Sequence, residues 1–241
     1  MSVYYIGTSG WHYQDWKGLF YPKDLPKARW LEFYAKHFLT VELNNSFYRL
    51  PSEKAFVNWR QDSPKEFTFA VKVSRFITHI KRLKNVDKPL HNFLVRADLL
   101  GDKLGPLLYQ LPPTMKRDDD RLESFLSILP SPYRHVFEFR HKSWFDNDVF
   151  NILKKHNAGF CIFDMPDLAS PVVATADFAY VRFHGSSGLY SSNYGDKELR
   201  KWAKRIADLG KTLRAVYIYF NNDVAGYAIN NARTLARLLR T

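Results

Sequence analysis

Residues 135–163, HVFEFRHKSWFDNDVFNILKKHNAGFCIF, contain one complete strand–helix–strand unit. The apolar run at 135–139 predicts a strand, and residues 146–156 carry apolar side chains at helical spacing after an acidic start. Asn157-Ala158-Gly159 predicts the end of that helix, before a second strand at 159–163. The second strand carries no polar side chain, which is typical of parallel strands covered by helices.

The same alternation extends in both directions along the chain. Further strands are predicted at residues 3–7, 40–43, 67–73, 106–111, 179–183 and 215–220, and further helices at 26–34, 118–129, 196–209 and 223–239. Another helix follows Ser52, its predicted N-terminal cap. Eight strands in 241 residues fit a single (β/α)8 TIM barrel, one domain over 1–241. An open doubly wound sheet is the alternative, but Gly7-Thr8-Ser9-Gly10 matches no nucleotide-binding loop.

The composition limits the partners to be expected. The 36 Lys and Arg residues against 24 Asp and Glu give a formal net charge of +12. This excess indicates an anionic partner without choosing among nucleic acid, phosphorylated metabolites and simple solubility. The single cysteine, Cys161, excludes an intramolecular disulfide, and no disulfide-linked partner is expected. The sequence starts without a signal-peptide pattern and has no membrane-length apolar run, which predicts a cytoplasmic protein with no membrane partner.

Polar residues concentrate where the predicted strands end, and TIM-barrel active sites are built at the carboxyl ends of the strands. Glu138 and Arg140 alternate with phenylalanines, so their side chains are predicted on one side of the strand. By the same spacing, Arg182 and His184 share a face. The other predicted site residues are Glu42, Asn44, Lys72, Gln110 and Asn221, with Trp11 and Tyr48 just past strand ends.

Several phrases of the sequence resemble one known family. They are GTSGW at 7–11, VELNNSFYRLPS at 41–52, LLYQLPP at 107–113, FEFRHKSW at 137–144, VRFHG at 181–185, YFNND at 219–223 and GYAINNA at 226–232. In this order, and over nearly the whole chain, they are similar to the YecE-like family, known mainly as domain of unknown function 72. The resemblance implies a (β/α)8 barrel related to those of xylose isomerases and endonuclease-IV-type enzymes. It implies no particular reaction.

Two interpretations of Glu42 and Glu138 remain open. As a carboxylate pair at the barrel mouth they would act as acid and base, together with His184. Alternatively, they belong with nearby cations to a satisfied, structural ionic layer. Several cations at the mouth favour an anion-binding site, which the loop at 185–190 would cover. These cations are Lys72, Arg75, Arg140, His141 and Arg182.

A metal site is a further hypothesis. The residues with suitable ligand atoms for zinc or manganese are Glu42, Glu138, Asp164, His79 and His184. No local motif such as H-x-H or H-E-x-x-H occurs, so a divalent metal is not the favoured interpretation and the cofactor is unknown.

Nucleic-acid binding is the competing class of function. Aromatic residues interleaved with Arg and Lys would stack on bases, although we expect most of them to anchor the core or loops, with Trp11 and Tyr48 as exceptions. Two basic bands would bind phosphates, but a solvated outer helix face explains them more simply. The bands are Lys197, Arg200, Lys201, Lys204 and Arg205, and Arg233, Arg237 and Arg240.

The interpretation best supported by the sequence is an enzyme with its site at the C-terminal mouth of the barrel, acting on an anionic, phosphate-bearing substrate. Hydrolase, lyase and isomerase chemistry all remain open. Lys72, Arg140 and Arg182 are predicted to bind the anion, and Asn44, Gln110 and Asn221 are predicted to orient the substrate. The alternative is a non-enzymatic nucleic-acid-binding protein with a basic surface and aromatic loops.

Overall fold

Eight parallel strands form a nearly closed barrel in the computed structural model, which describes residues 2–240 except for the side chain of Arg240. The strands are β1 (Val3–Thr8), β2 (Thr40–Leu43), β3 (Thr68–Lys72), β4 (Leu104–Gln110), β5 (His135–Glu138), β6 (Gly159–Asp164), β7 (Phe178–Phe183) and β8 (Ala215–Phe220). Their hydrogen-bonded order is β1-β8-β7-β6-β5-β4-β3-β2. The predicted (β/α)8 TIM barrel is confirmed, and β2 and β8 have the predicted bounds.

Helices connect most of these strands. They are α1 (Trp30–Ala35), α2 (Asn45–Tyr48), α3 (Glu53–Gln61), α4 (Asp87–Ala97), α5 (Asp119–Ser127), α6 (Asn147–Lys155), α7 (Asp196–Gly210) and α8 (Tyr227–Arg240). The side chains of Ser52, Asp118 and Asp146 accept backbone N–H groups at the starts of α3, α5 and α6. These helices therefore begin where side-chain capping predicts.

Two helix predictions are wrong in detail. The sequence-based prediction omits α4, which contains Pro89 and follows a loop with left-handed backbone at Arg82, Leu83 and Asn85. The final helix begins at Tyr227 instead of residue 223. A positive φ at Ala225 and at Gly226 interrupts the helical backbone there and confines Val224–Gly226 to a short turn.

The connection between β6 and β7 contains no helix, contrary to the predicted alternation. Instead, residues 165–177 run beside β6 and bond to its backbone. The Phe163 N–H donates to the Ser170 hydroxyl at 2.8 Å, and the Phe160 N–H donates to the Thr175 hydroxyl at 2.7 Å. Polar side chains in this connection thus satisfy β6 backbone groups, and β5 and β6 pair over only a short stretch.

A side-chain hydroxyl joins β1 to β2, the two strands at the ends of the hydrogen-bonded order. The Thr8 N–H donates to the Tyr34 hydroxyl at 3.0 Å, and this hydroxyl donates to the Thr40 carbonyl at 3.1 Å. The two strands are so close here that a Cβ atom on residue Gly7 would lie 2.2 Å from the Thr40 carbonyl oxygen. Tyr34 of α1 therefore bridges the β1–β2 seam of the barrel.

The barrel interior follows the two-residue period of its strands. Ala70, Leu108, Val136 and Tyr180 belong to one buried apolar cluster, together with Cys161. Two residues further along their strands the inward positions become polar, at Lys72, Gln110, Glu138 and Arg182. The apolar cluster is therefore the floor beneath a polar layer at the C-terminal end of the barrel. None of the helices in residues 2–240 is long and apolar enough to cross a membrane.

Candidate functional site

A buried ionic triad forms the lower part of the polar layer. Arg182 Nη2 donates to Glu42 Oε2 at 2.9 Å, and Arg182 Nη1 donates to Glu138 Oε2 at 2.6 Å. The Tyr180 hydroxyl donates to Glu42 Oε1 at 2.7 Å. All four side chains are fully buried, so one guanidinium from β7 links carboxylates from β2 and β5 across the barrel.

Both carboxyls of the triad are held in the ionised form. Burial alone would raise the pKa of Glu42, but Arg182 lies beside it and brings that pKa below its ordinary value. Burial opposes the ionisation of Glu138 as well, but Arg140 and Arg182 bring the pKa of Glu138 well below its ordinary value. The ion pairs of the expected ionic layer are therefore formed between Arg182 and both carboxylates, while Arg182 Nε is buried without a hydrogen-bond partner among residues 2–240.

Arg140 extends the triad toward the mouth. Its Nε donates to Glu138, its Nη2 donates to His184 Nε2 at 2.9 Å, and its guanidinium lies 5.1 Å from the centre of the Phe163 ring. Met165, in the connection after β6, accepts from Arg140 Nη1 through its sulfur. The predicted common side of Glu138 and Arg140 is confirmed by their contact.

His184 is a neutral imidazole. Burial lowers its pKa well below the ordinary value, and Arg182 and Arg140 lower it further. A guanidinium only donates, so Nε2 accepts from Arg140, and the Asn221 Nδ2 atom lies 3.1 Å from Nδ1. Nε2 is also 3.4 Å from Arg182 Nη1, which confirms that Arg182 and His184 share a face.

Two side-chain amides donate hydrogen bonds to the carboxylates of the triad. Asn44 Nδ2 donates to Glu42 Oε2 at 3.0 Å, although Asn44 lies just beyond the end of β2. Gln110 Nε2 donates to Glu138 Oε1 at 2.7 Å. The Asn44 Oδ1 atom is buried without a hydrogen-bond partner. The predicted orienting amides therefore reach the cluster, and one of them retains an unused acceptor.

Lys72 is the cation of the cluster that lacks a carboxylate partner. It is 9% exposed, and its ammonium lies 4.2 Å from the centre of the Phe47 ring, with no hydrogen bond or ion pair from Nζ within the described chain. Burial and then Arg182 lower the pKa of Lys72 to about 7. The Ser46 hydroxyl donates to the Lys72 carbonyl at 2.7 Å, which ties α2, and with it Phe47, to the end of β3.

The other predicted mouth residues are not all placed as expected. Trp11 is 5% exposed and packs against His12 and Trp59, so the expected exposed ring is wrong for this residue. Tyr48 is 72% exposed, as expected. His141 contacts Ser143 and forms no part of the cluster contacts.

The five predicted metal ligands do not converge. The Asp164 carboxyl contacts Tyr194 and Trp202 on the α7 side of β6, away from the barrel interior. His79 bonds to Thr78 and packs edge-on against Phe47, and burial lowers its pKa to about 4. Among residues 2–240, no group of three His, Cys, Asp or Glu side chains is placed to hold a metal ion.

Sequence reasoning missed three contributors to the cluster. Tyr180 precedes Arg182 by two residues in the same strand, so the two-residue period offered a signal for it. Phe47 lies in the short helix α2 and Met165 in the connection after β6, and their contacts with Lys72 and Arg140 follow from the tertiary structure alone.

A (β/α)8 barrel with a charged, buried layer at the carboxyl ends of its strands has the architecture of TIM-barrel enzymes. The chain belongs to the family described as "Protein of unknown function DUF72", which it matches over residues 5–241. It is similar to the UPF0759 protein YunF of Bacillus subtilis, with 25% identity over 98% of this chain and 94% of that protein. The UPF0759 protein YecE of Escherichia coli K12 is 32% identical over 58% of this chain and 50% of its own length.

Solved structures agree with this family membership. A DUF72 family protein of Thermotoga maritima superposes with a TM-score of 0.90 and 31% identity, covering 99% of this chain and all of the other. A DUF72 family protein of Enterococcus faecalis has a TM-score of 0.82 at 20% identity, over 99% and 96% of the two chains. A fusion protein with a xylose isomerase-like TIM barrel has a TM-score of 0.55 at 16% identity, over 99% of this chain and 43% of that protein, which supports the fold alone.

Proposed function

We propose that the chain is an enzyme that binds a small anionic substrate at the C-terminal mouth of the barrel. One observation carries this proposal, namely the unmatched charge of Lys72. Glu42 and Glu138 are already paired with Arg182 and Arg140, so Lys72 is the surplus cation of a nearly buried cluster. Uncompensated buried charge is costly, and a phosphate or carboxylate group would supply the missing partner.

The substrate would meet the upper part of the cluster. Lys72, Arg140, Gln110, Asn44 and Asn221 retain some exposure or lie at the ends of the strands, whereas the triad beneath them is fully buried. Lys72 and Arg140 would hold the anionic group, and the three amides would orient the remainder of the substrate. Arg182 would then act indirectly, by keeping both carboxylates ionised.

Acid–base roles are proposed for three residues. Glu42 and Glu138 are ionised and suit proton acceptance, and neutral His184 can exchange a proton through its imidazole ring. Hydrolase, lyase and isomerase chemistry all use such groups. The presence of ionised carboxylates within a buried cationic cluster supports an enzyme over a simple binding module.

Titration with inorganic phosphate, and separately with a sugar phosphate and a dicarboxylate, tests the proposed anion site. We expect at least one anion to raise the melting temperature of the wild-type protein, because a ligand at 100 times its Kd stabilises by about 2.7 kcal/mol. Lys72→Met should weaken this binding by about tenfold or more. The matched control is Lys204→Met on the exposed side of α7, which should bind as the wild type does. Equal anion binding by Lys72→Met and the wild type would overturn the proposal.

A further inference from the structure

Two buried lysines of the chain differ in what holds their ammonium groups. Lys103 is 7% exposed, and its Nζ donates to the carbonyls of Arg60 and Ser63 and to the Ser63 hydroxyl, at 2.5–3.0 Å. Lys72 has similar exposure, yet its Nζ lies over the face of Phe47 and makes no hydrogen bond or ion pair with residues 2–240. Lys103 is therefore a structural cation with satisfied donors. The ammonium group of Lys72 has three N–H donors, and none of them has an acceptor among residues 2–240.

The groups that face Lys72 act in opposing directions. Arg182 and Arg140 disfavour its charge, and Glu138 and Glu42 favour it, but both carboxylates are already bound by the guanidinium groups. Two imidazoles also lie within electrostatic range, those of His79 and His184, and the pKa of each is lowered. Burial adds to the effect of the arginines, so an appreciable fraction of Lys72 is the neutral amine near pH 7.

A neutral, unbonded primary amine at the mouth of an enzyme barrel is a nucleophile. We infer that Lys72 forms an imine with the carbonyl group of a small anionic aldehyde or ketone. This inference rests on the proposed function, since it names the substrate class of the same site. The Asn44 Oδ1 acceptor, buried and unpartnered at the same end of the barrel, is available to a hydroxyl of such a substrate.

The imine step is balanced without a co-reactant. The Lys72 nitrogen attacks the carbonyl carbon, a C–N bond forms, and the carbonyl oxygen takes the proton that the nitrogen loses. The carbinolamine nitrogen then gives up its remaining proton to that oxygen, the C–O bond breaks to release water, and a C=N bond replaces C=O. Hydrolysis reverses both steps. An imine withdraws electrons from the adjacent carbon, so this chemistry favours a lyase or an isomerase over a hydrolase.

Reductive trapping tests the inference. The wild-type protein is treated with glyoxylate, an anionic aldehyde, and sodium cyanoborohydride, which delivers hydride to the imine and leaves a stable secondary amine. Peptide mass spectrometry then locates the modified lysines. We expect Lys72 to be modified at least tenfold faster than Lys103 and faster than exposed lysines such as Lys204. The rate should rise with pH toward a plateau above about pH 7, as the neutral amine becomes dominant.

The outcomes separate this inference from the proposed function. Inorganic phosphate, which has no carbonyl group, should slow the modification of Lys72 and leave that of Lys204 unchanged. If phosphate binds but Lys72 is modified no faster than exposed lysines, the nucleophilic role is wrong and the anion site stands. If Lys72 is trapped rapidly but no anion binds or protects it, the anion site is wrong. The site is mapped in the wild-type protein, so no outcome depends on the folding of a variant.

Discussion

Burial and two guanidinium groups oppose the positive charge of Lys72. Its pKa falls from 10.5 in a model peptide to about 7 in the folded protein, so the folded state binds this proton less tightly than the unfolded state. Folding is therefore penalised at every pH below 7, where both states are protonated. The penalty declines between pH 7 and pH 10.5, because the folded state has then lost the proton that the unfolded state retains.

Replacing Lys72 should consequently stabilise the protein. We expect Lys72→Met to raise the free energy of unfolding by a few kcal/mol at pH 6, with a gain that shrinks by about 1.4 kcal/mol per pH unit between pH 7 and pH 10. Urea denaturation at pH 6 and pH 9 measures both quantities. Lys103→Met is the matched control and should destabilise by about 1–3 kcal/mol, because it leaves the carbonyls of Arg60 and Ser63 unpaired. A loss of stability in Lys72→Met at pH 6 would show that Lys72 is structural.

The sequence predicted which residues face the barrel interior. It did not predict which of them pair with one another, or which are fully buried and which are open to the mouth. Two-residue spacing correctly placed Glu138 with Arg140 and Arg182 with His184. Spacing within a strand carries no information on the partner across the barrel, so the sharing of Arg182 between Glu42 and Glu138 was left open. For the same reason Arg182, fully buried, and Lys72, partly open, looked alike in the sequence.

The strands were easier to predict than their connections. A buried parallel strand such as β8 is a continuous apolar run, and a run of this kind indicates its own limits. In contrast, residues 165–177 are fixed by side-chain hydrogen bonds from Ser170 and Thr175 to β6. Such bonds depend on tertiary contact and leave no periodic pattern in the sequence.

The β1–β2 seam provides a test of how one hydroxyl supports two strands. Tyr34→Phe removes the group that accepts from the Thr8 N–H and donates to the Thr40 carbonyl. We expect a loss of about 1–3 kcal/mol in the free energy of unfolding, because both backbone groups are buried and lose their partner. Faster amide hydrogen exchange at Thr8 should accompany this loss.

Tyr133→Phe is the control for the seam. The Tyr133 hydroxyl donates to the Asp98 carboxylate at an exposed position, so its loss should change stability by less than about 0.5 kcal/mol. If both variants have the same stability as the wild type, the Tyr34 hydroxyl does not hold the seam.

The net charge of +12 is distributed over two different settings. The band on α7 is exposed, and Arg205 lies over the ring of Trp202, as Arg233 of α8 lies over the ring of Phe20. The Arg240 side chain of the second band lies outside the described residues. The mouth contributes a smaller, nearly buried group of cations beside carboxylates. Only the cations at the mouth need an anionic ligand to account for their burial.

Binding to short oligonucleotides distinguishes these two groups. We expect the protein to bind DNA weakly, with equal affinity for unrelated sequences and a steep loss of affinity between 50 and 200 mM salt, because exposed cations only displace counterions from phosphates. Lys72→Met should bind in the same way. Selective binding that survives 200 mM salt and is lost in Tyr48→Ala would instead support a nucleic-acid-binding function, since Tyr48 is a highly exposed aromatic residue that follows β2.

The seam also affects the order in which the barrel is completed. Although β1 is the first strand of the chain, its ladder partner is β8, and Val3 pairs with Ala215 near the other end of the sequence. During synthesis, β1 therefore has an unpaired edge until the last strand emerges, although the Tyr34 hydroxyl links it to β2. Pairing between such distant segments folds slowly, and an open strand edge invites association with other chains. The late arrival of β8 thus makes the nascent chain dependent on α1 to shield its first strand.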